Sequence, residues 1–244
     1  MGQSIAGHHS MTQTSIAIQH NLQANLVRAS QRGELENLAE LLVQGADPKH
    51  ERSRALRMAA HNGHAECVVA LLPLSDPSDG AALCWAASAG HLECVKVLLP
   101  VSNPSAHGSQ ALLVAAQNGH AECVKLLIPV SVPKKDQSHP LRTASRNGHV
   151  ECVRHLLPVS DSLFEHPELA HGALIGGQAL AMALMFEYEP RLSQRIDLSE
   201  ALLSSASAGH GDMVCLLASI IDRRELSAML AEGPSAAASQ SLRI

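Results

Sequence analysis

The chain has 244 residues, 46% of them hydrophobic but only 2% aromatic, with a formal charge of −5. Such a hydrophobic share suits a folded protein. The scarcity of rings argues against an ordinary compact core, and the charge against a whole-chain attraction to nucleic acid or an anionic membrane. No apolar run approaches the ~20 residues that cross a bilayer.

Residues 1–21 contain no Lys, Arg, Asp or Glu; the first basic residue is Arg28 and the first acidic one Glu34. This Ser/Thr/Gln-rich stretch reads as a disordered leader. It lacks the basic and apolar regions of a secretory signal and resembles the leaders of effectors exported by bacterial type III systems. Residues 234–244 read as a disordered tail.

Between them, residues 22–233 repeat themselves. Gly63-His64-Ala65-Glu66-Cys67-Val68 recurs from Gly90 to Val95, from Gly119 to Val124 and from Gly148 to Val153, with a weaker copy from Gly209 to Val214. The segment Gly33–Leu38 keeps the glycine and acidic positions. A degenerate copy aligns Leu169, Ala173, Gly176, Leu180 and Leu184 with Leu56, Ala60, Gly63, Cys67 and Leu71. Glycines at 33, 63, 90, 119, 148, 176 and 209 thus mark seven repeats, near residues 22–49, 50–79, 80–106, 107–135, 136–164, 165–196 and 197–233.

Each repeat reads as two short antiparallel helices. In the second repeat Leu56, Ala59 and Ala60 recur at helical spacing, and Gly63 ends the helix in the left-handed conformation that glycine adopts cheaply. The following helix carries Cys67, Val68, Leu71 and Leu72 on one face. Glu66, Glu93, Glu122 and Glu151 sit in first turns, where a carboxylate suits the positive helix end. Pro73, Pro100, Pro129 and Pro158 close the helices.

Leu-x-x-Ala-Ala-x-x-Gly-His, followed by an acidic residue, Val and Leu-Leu, resembles the ankyrin repeat. Leu41-Leu42-Val43-Gln44-Gly45-Ala46-Asp47 supplies that family's ending. The resemblance implies an all-α ankyrin-repeat solenoid of about seven helix–turn–helix units, a protein-binding module rather than an enzyme. Two departures stand out. The family's Thr-Pro-Leu-His tetrad keeps only its leucine, and most repeats fall short of about 33 residues. The hairpin loops are therefore expected to be shortened. The longest connection, after Met185, is expected to project as a finger. The Leu-Leu-Pro-Val-Ser-Asp-Pro variant resembles repeats of bacterial ankyrin proteins.

Fifteen histidines and six cysteines invite a metal or redox role, but stacked helices stand roughly 8–10 Å apart. That is too far for disulfides along the ladder Cys67, Cys94, Cys123, Cys152, or for His64, His91, His120 and His149 to share zinc. The ladder cysteines read as small buried hydrophobes, and no metal, cofactor or catalytic residue is expected. Reduced thiols fit a cytoplasmic setting, or one reached by export into a host cell.

In ankyrin arrays the two residues before the Gly-His turn face the concave groove. The resemblance therefore points to His61, Asn62, Ser88, Gln117, Asn118, Arg146 and Asn147 as partner-binding residues, with Arg142 in a modest basic cluster and Trp85 nearby. In the sixth repeat the pair is apolar, Leu174 and Ile175, and Phe186 and Tyr188 lie close in sequence, so this repeat is either a binding surface or a structural seam. The expected partner is a protein, with no nucleic acid and no membrane span, and the chain is expected to be a monomer. Expected functions are a bacterial effector acting on a host protein or an immunity protein capping a toxin. From another class, an enzyme with an unrecognised site in the sixth repeat is the alternative.

Overall fold

The structure, a computed structural model, describes residues 5–103, 109–131 and 135–221; for 5–16 and 135–138 it gives the backbone alone. All regular structure among the described residues is helical. The chain divides into an N-terminal unit, Met1–Val132, and a C-terminal unit, Pro133–Ile244.

The N-terminal unit holds α1 (Ile5–Arg32), α2 (Leu35–Val43), α3 (His50–His61), α4 (Ala65–Leu71), α5 (Ala81–Ala89), α6 (Leu92–Leu98), α7 (Gln110–Asn118) and α8 (Ala121–Leu127). The odd-numbered helices stack on one another, and the even-numbered ones form a second layer in looser mutual contact. Paired alanines explain the tight layer: Ala59 and Ala60, Ala86 and Ala87, and Ala115 and Ala116 are wholly buried, and with no longer side chain between them the helices close up. Cys67, Val68 and Leu71 of α4 fill the second layer, as do their counterparts in α6 and α8. Pro73 and Pro129 sit in single 3-10 turns immediately after α4 and α8.

The glycine of each turn has a second reason to be glycine. Gly63 is left-handed (φ 81°), and a β-carbon there would stand 2.6 Å from the ring of His91, the turn histidine of the next repeat. Gly33 meets His64, and Gly90 meets His120, in the same way. The histidines also bond across the interface: His64 Nε2 lies 3.0 Å from the carbonyl oxygen of Gln31, and His120 Nε2 lies 3.1 Å from that of Ser88. His64, His91 and His120 thus each seat their ring against the turn glycine of the repeat before.

Residues 5–21, expected to lie in a disordered leader, are part of α1. A polar Ser/Thr/Gln-rich composition offers little apolar surface but does not forbid a helix. The stretch from Ile5 contains one glycine and no proline, and the helix is anchored downstream, where Leu26 and Ala29 are buried and α1 packs on α3. Once nucleated there, propagation needs little from each added residue. Residues 1–4 and the expected tail at 234–244 lie outside the described residues.

The C-terminal unit holds α9 (Lys135–Arg146), α10 (Val150–Leu156), α11 (His171–Ile175), α12 (Ala179–Tyr188), α13 (Leu198–Ser207) and α14 (Gly211–Ile220). Its middle repeat corrects the alignment by one residue. Gly177 (φ 66°), not Gly176 (φ −78°), takes the left-handed turn, and Gln178 N–H donates to the Ala173 carbonyl just as His149 N–H does to Ala144. Ala181, Met182 and Met185 are accordingly the buried face of α12, whereas Leu180 is 74% exposed. Gln178 stands where a turn histidine would, against Gly148.

The long connection after α12 is not a projecting finger. Residues Pro190–Gln194 form a 3-10 helix whose Leu192 is fully buried, with Ile196 beside it nearly so. The Glu189 carboxylate accepts from the Phe164 N–H (3.0 Å) and from Ser162 Oγ (3.1 Å). Arg195 Nε donates to the Phe164 carbonyl, and the guanidinium groups of Arg191 and Arg195 lie 5.0 and 5.5 Å from the Phe164 ring centre. Apolar residues within the loop pull it inward, and Phe164 is the seam that holds it.

Candidate functional site

The ends of the first helices carry the predicted binding positions, and in the N-terminal unit several are already engaged. Asn62 Nδ2 donates to the Met58 carbonyl (2.8 Å), and Asn118 Nδ2 donates to the carbonyl (2.7 Å) and the hydroxyl of Ser88. The Asn118–Ser88 bonds tie two repeats together, whereas Asn62 is spent within its own helix. Trp85 is 40% exposed, its ring edge-on to His61 at 5.0 Å between centres, and Gln117 is exposed. A shallow groove of about 270 Å³ lies between α1 and α3, lined by Ala24, Val27, Arg28, His50 and Arg54 among others. Arg28 and Arg54, absent from the sequence-predicted set, make it basic, although Arg54 also pairs with Glu51 at 2.7 Å.

In the C-terminal unit Arg146 and Asn147 are exposed at the end of α9, and Arg142 is half-buried. With the corrected alignment, the pair before the turn in α11 is Ile175 and Gly176. Ile175 is 70% exposed, while Leu174 is half-buried. Both line an open groove of about 250 Å³ between α11 and α13, together with His171, Ile196, Asp197 and Glu200. The cause is local. A β-carbon at Gly172 would strike the Arg142 carbonyl oxygen, and one at Gly176 that of Arg146. The two glycines let α11 settle on α9, and its contact with α13 is slight.

Asp197 caps α13, its Oδ1 accepting from the N–H groups of Ser199 and Glu200 at 3.0 Å each. The spacing Asp197-x-x-Glu200 matches a helix-start signature that the sequence reading passed over, and the same residues also line the groove. Phe186 and Tyr188 are not brought to Ile175. They lie at the far end of α12, about 15 Å along a ten-residue helix, with Phe186 half-buried and Tyr188 exposed.

The ladder cysteines 67, 94, 123 and 152 are buried and in no disulfide, Cys84 is half-buried, and Cys215 is exposed. Burial pushes the Cys84 and Cys94 thiols up to about 11, and acidic neighbours, Asp79 and Glu93, push the same way. Such thiols are poor nucleophiles and poor ligands. Among the described residues no group of three or more His, Cys, Asp or Glu is placed to hold a metal ion, and no helix is long and apolar enough to cross a membrane.

Ankyrin repeats account for this geometry, and the sequence comparison agrees: the ankyrin-repeats family model matches residues 26–107 and 100–165, more than half of the chain. The chain belongs to the ankyrin repeat family, whose repeats generally mediate protein–protein interaction. The crystal structure of the human ASB11 ankyrin repeat domain is similar in fold, with a TM-score of 0.58 and 24% identity, covering 67% of this chain and 83% of that one. No curated protein matches the sequence.

Proposed function

We propose that the protein is a non-enzymatic scaffold that binds a protein partner through the groove at the ends of its first helices, and that it is a bacterial protein acting on a host protein. The observation that carries the binding reading is Ile175. A large apolar side chain is left 70% exposed beside an open groove, at a position where most other repeats carry a polar residue. Exposure of this kind marks recognition surfaces. The bacterial setting is supported by the resemblance of repeat endings such as Leu71–Pro77 and Leu98–Pro104 to those of bacterial ankyrin proteins. Polar side chains not spent on neighbours, Arg146 among them, supply a wet rim of the kind that surrounds an apolar anchor. Affinity capture with the full chain, run beside Ile175→Ser and Arg146→Ala, tests the binding reading. A specific partner is expected with the wild type and is weakened in both variants. A partner retained equally by all three proteins sinks it.

A further inference from the structure

The groove between α11 and α13 has two unlike walls. The α11 side is apolar, from Leu174 and Ile175; the α13 side carries the Asp197 and Glu200 carboxylates. Asp197 gives one oxygen to the helix cap, and its charge remains. Glu200 is exposed, and its carboxylate has no hydrogen-bond or ion-pair partner among the described residues. The side chain of opposite potential charge lining the groove is His171, itself exposed. An apolar shelf facing two carboxylates, Asp197 engaged in the helix cap and Glu200 unpaired among the described residues, matches a side chain with an aliphatic stem and a cationic head, which buries the stem and keeps the head at the wet edge.

We propose that this groove receives a lysine or arginine from a basic segment of the partner protein. The stem lies on Leu174 and Ile175, and the cation sits by Glu200, with Asp197 beside it. The proposal rests on the protein-binding reading above and names the chemistry of the partner at one place. The same carboxylates repel phosphate, so a nucleic acid or an anionic lipid surface is the wrong occupant.

Selection from a phage-displayed random 12-residue peptide library against the full chain tests it. Enriched peptides are expected to carry Lys or Arg beside an apolar residue. Their affinity should fall about fivefold with Glu200→Gln, further with Glu200→Arg, and about tenfold with Ile175→Ser. Thermal melts of each variant separate lost binding from lost folding. Glu200→Gln keeps the size of the side chain and leaves the Asp197 cap in place. Peptides without basic enrichment, peptides indifferent to Glu200 and Ile175, or an empty selection would overturn the proposal. If captured partner binds through Arg146 and ignores Glu200→Gln, this inference fails while the interaction reading stands.

Discussion

The N-terminal and C-terminal units are built from the same motif and differ in how strictly they keep it. In the first, α3, α5 and α7 repeat one arrangement of Leu, Ala, Ala and Gly, and each turn histidine seats on the glycine before it. In the second, glutamine replaces a turn histidine, two extra glycines draw α11 onto α9, and a loop is folded inward around Phe164. Strict repetition distributes stability over equivalent contacts. A single irregular repeat concentrates contacts on one side and opens a groove on the other.

The largest expected effect tests the corrected alignment that defines the irregular repeat. Met182→Ala should cost about 2–5 kcal/mol in urea unfolding, as a buried large-to-small change, while Leu180→Ser should stay within about 0.5 kcal/mol. The reverse order would restore the uncorrected alignment and erase much of the contrast. Next come two glycines of similar φ. A β-carbon on Gly209 would meet nothing within 4 Å, whereas one on Gly63 would meet the His91 ring. Gly209→Ala should cost about 1 kcal/mol from backbone strain alone. Gly63→Ala should cost about 2–3 kcal/mol, because the ring must also move. Equal costs would mean that the turn histidines do not seat on glycine.

A smaller loss, about 1–2 kcal/mol, is expected for Phe164→Leu, which keeps apolar bulk but removes the face presented to Arg191 and Arg195. No change in the melting temperature would show that the inward loop is held by Leu192 and not by this ring. The smallest effect is chemical. At pH 8 the exposed Cys215 should react with a disulfide reagent well before the other five thiols. Cys84, pushed to about 11, is ionised in only about one molecule in a thousand at that pH, and its reactivity should rise steeply with pH until the thiol titrates. Fast labelling of Cys84 at neutral pH would contradict its half-buried placement.

Much of the fold was legible because period and chemistry coincide. Paired alanines, the Cys-Val-Leu face and the closing prolines each recur where the structure uses them. The sixth repeat slipped by one residue because Gly176 and Gly177 both satisfy the pattern, and only the backbone angle separates them. The role of the turn histidines stayed hidden because their contact is with the preceding repeat, some thirty residues away. The connection after α12 was read by its length, although Leu192 and Ile196 within it already argued for burial. At the site, Ile175 was visible as an apolar residue in a polar position. Asp197 and Glu200 were not, because a helix-start signature accounts for them without remainder; Asn62 proved to be spent within its own helix, and Asn118 on Ser88 of the repeat before.

The slight contact between α11 and α13 also sets how the molecule breathes. Helices α13 and α14 pack mainly on each other, so the seventh repeat has its own opening equilibrium, shallower than that of the repeats beneath it. Backbone amides of α13 and α14 should therefore exchange with deuterium sooner than those of α10 and α12, and as a group. An occupant bridging α11 and α13 would slow that same group, since it binds only the closed form.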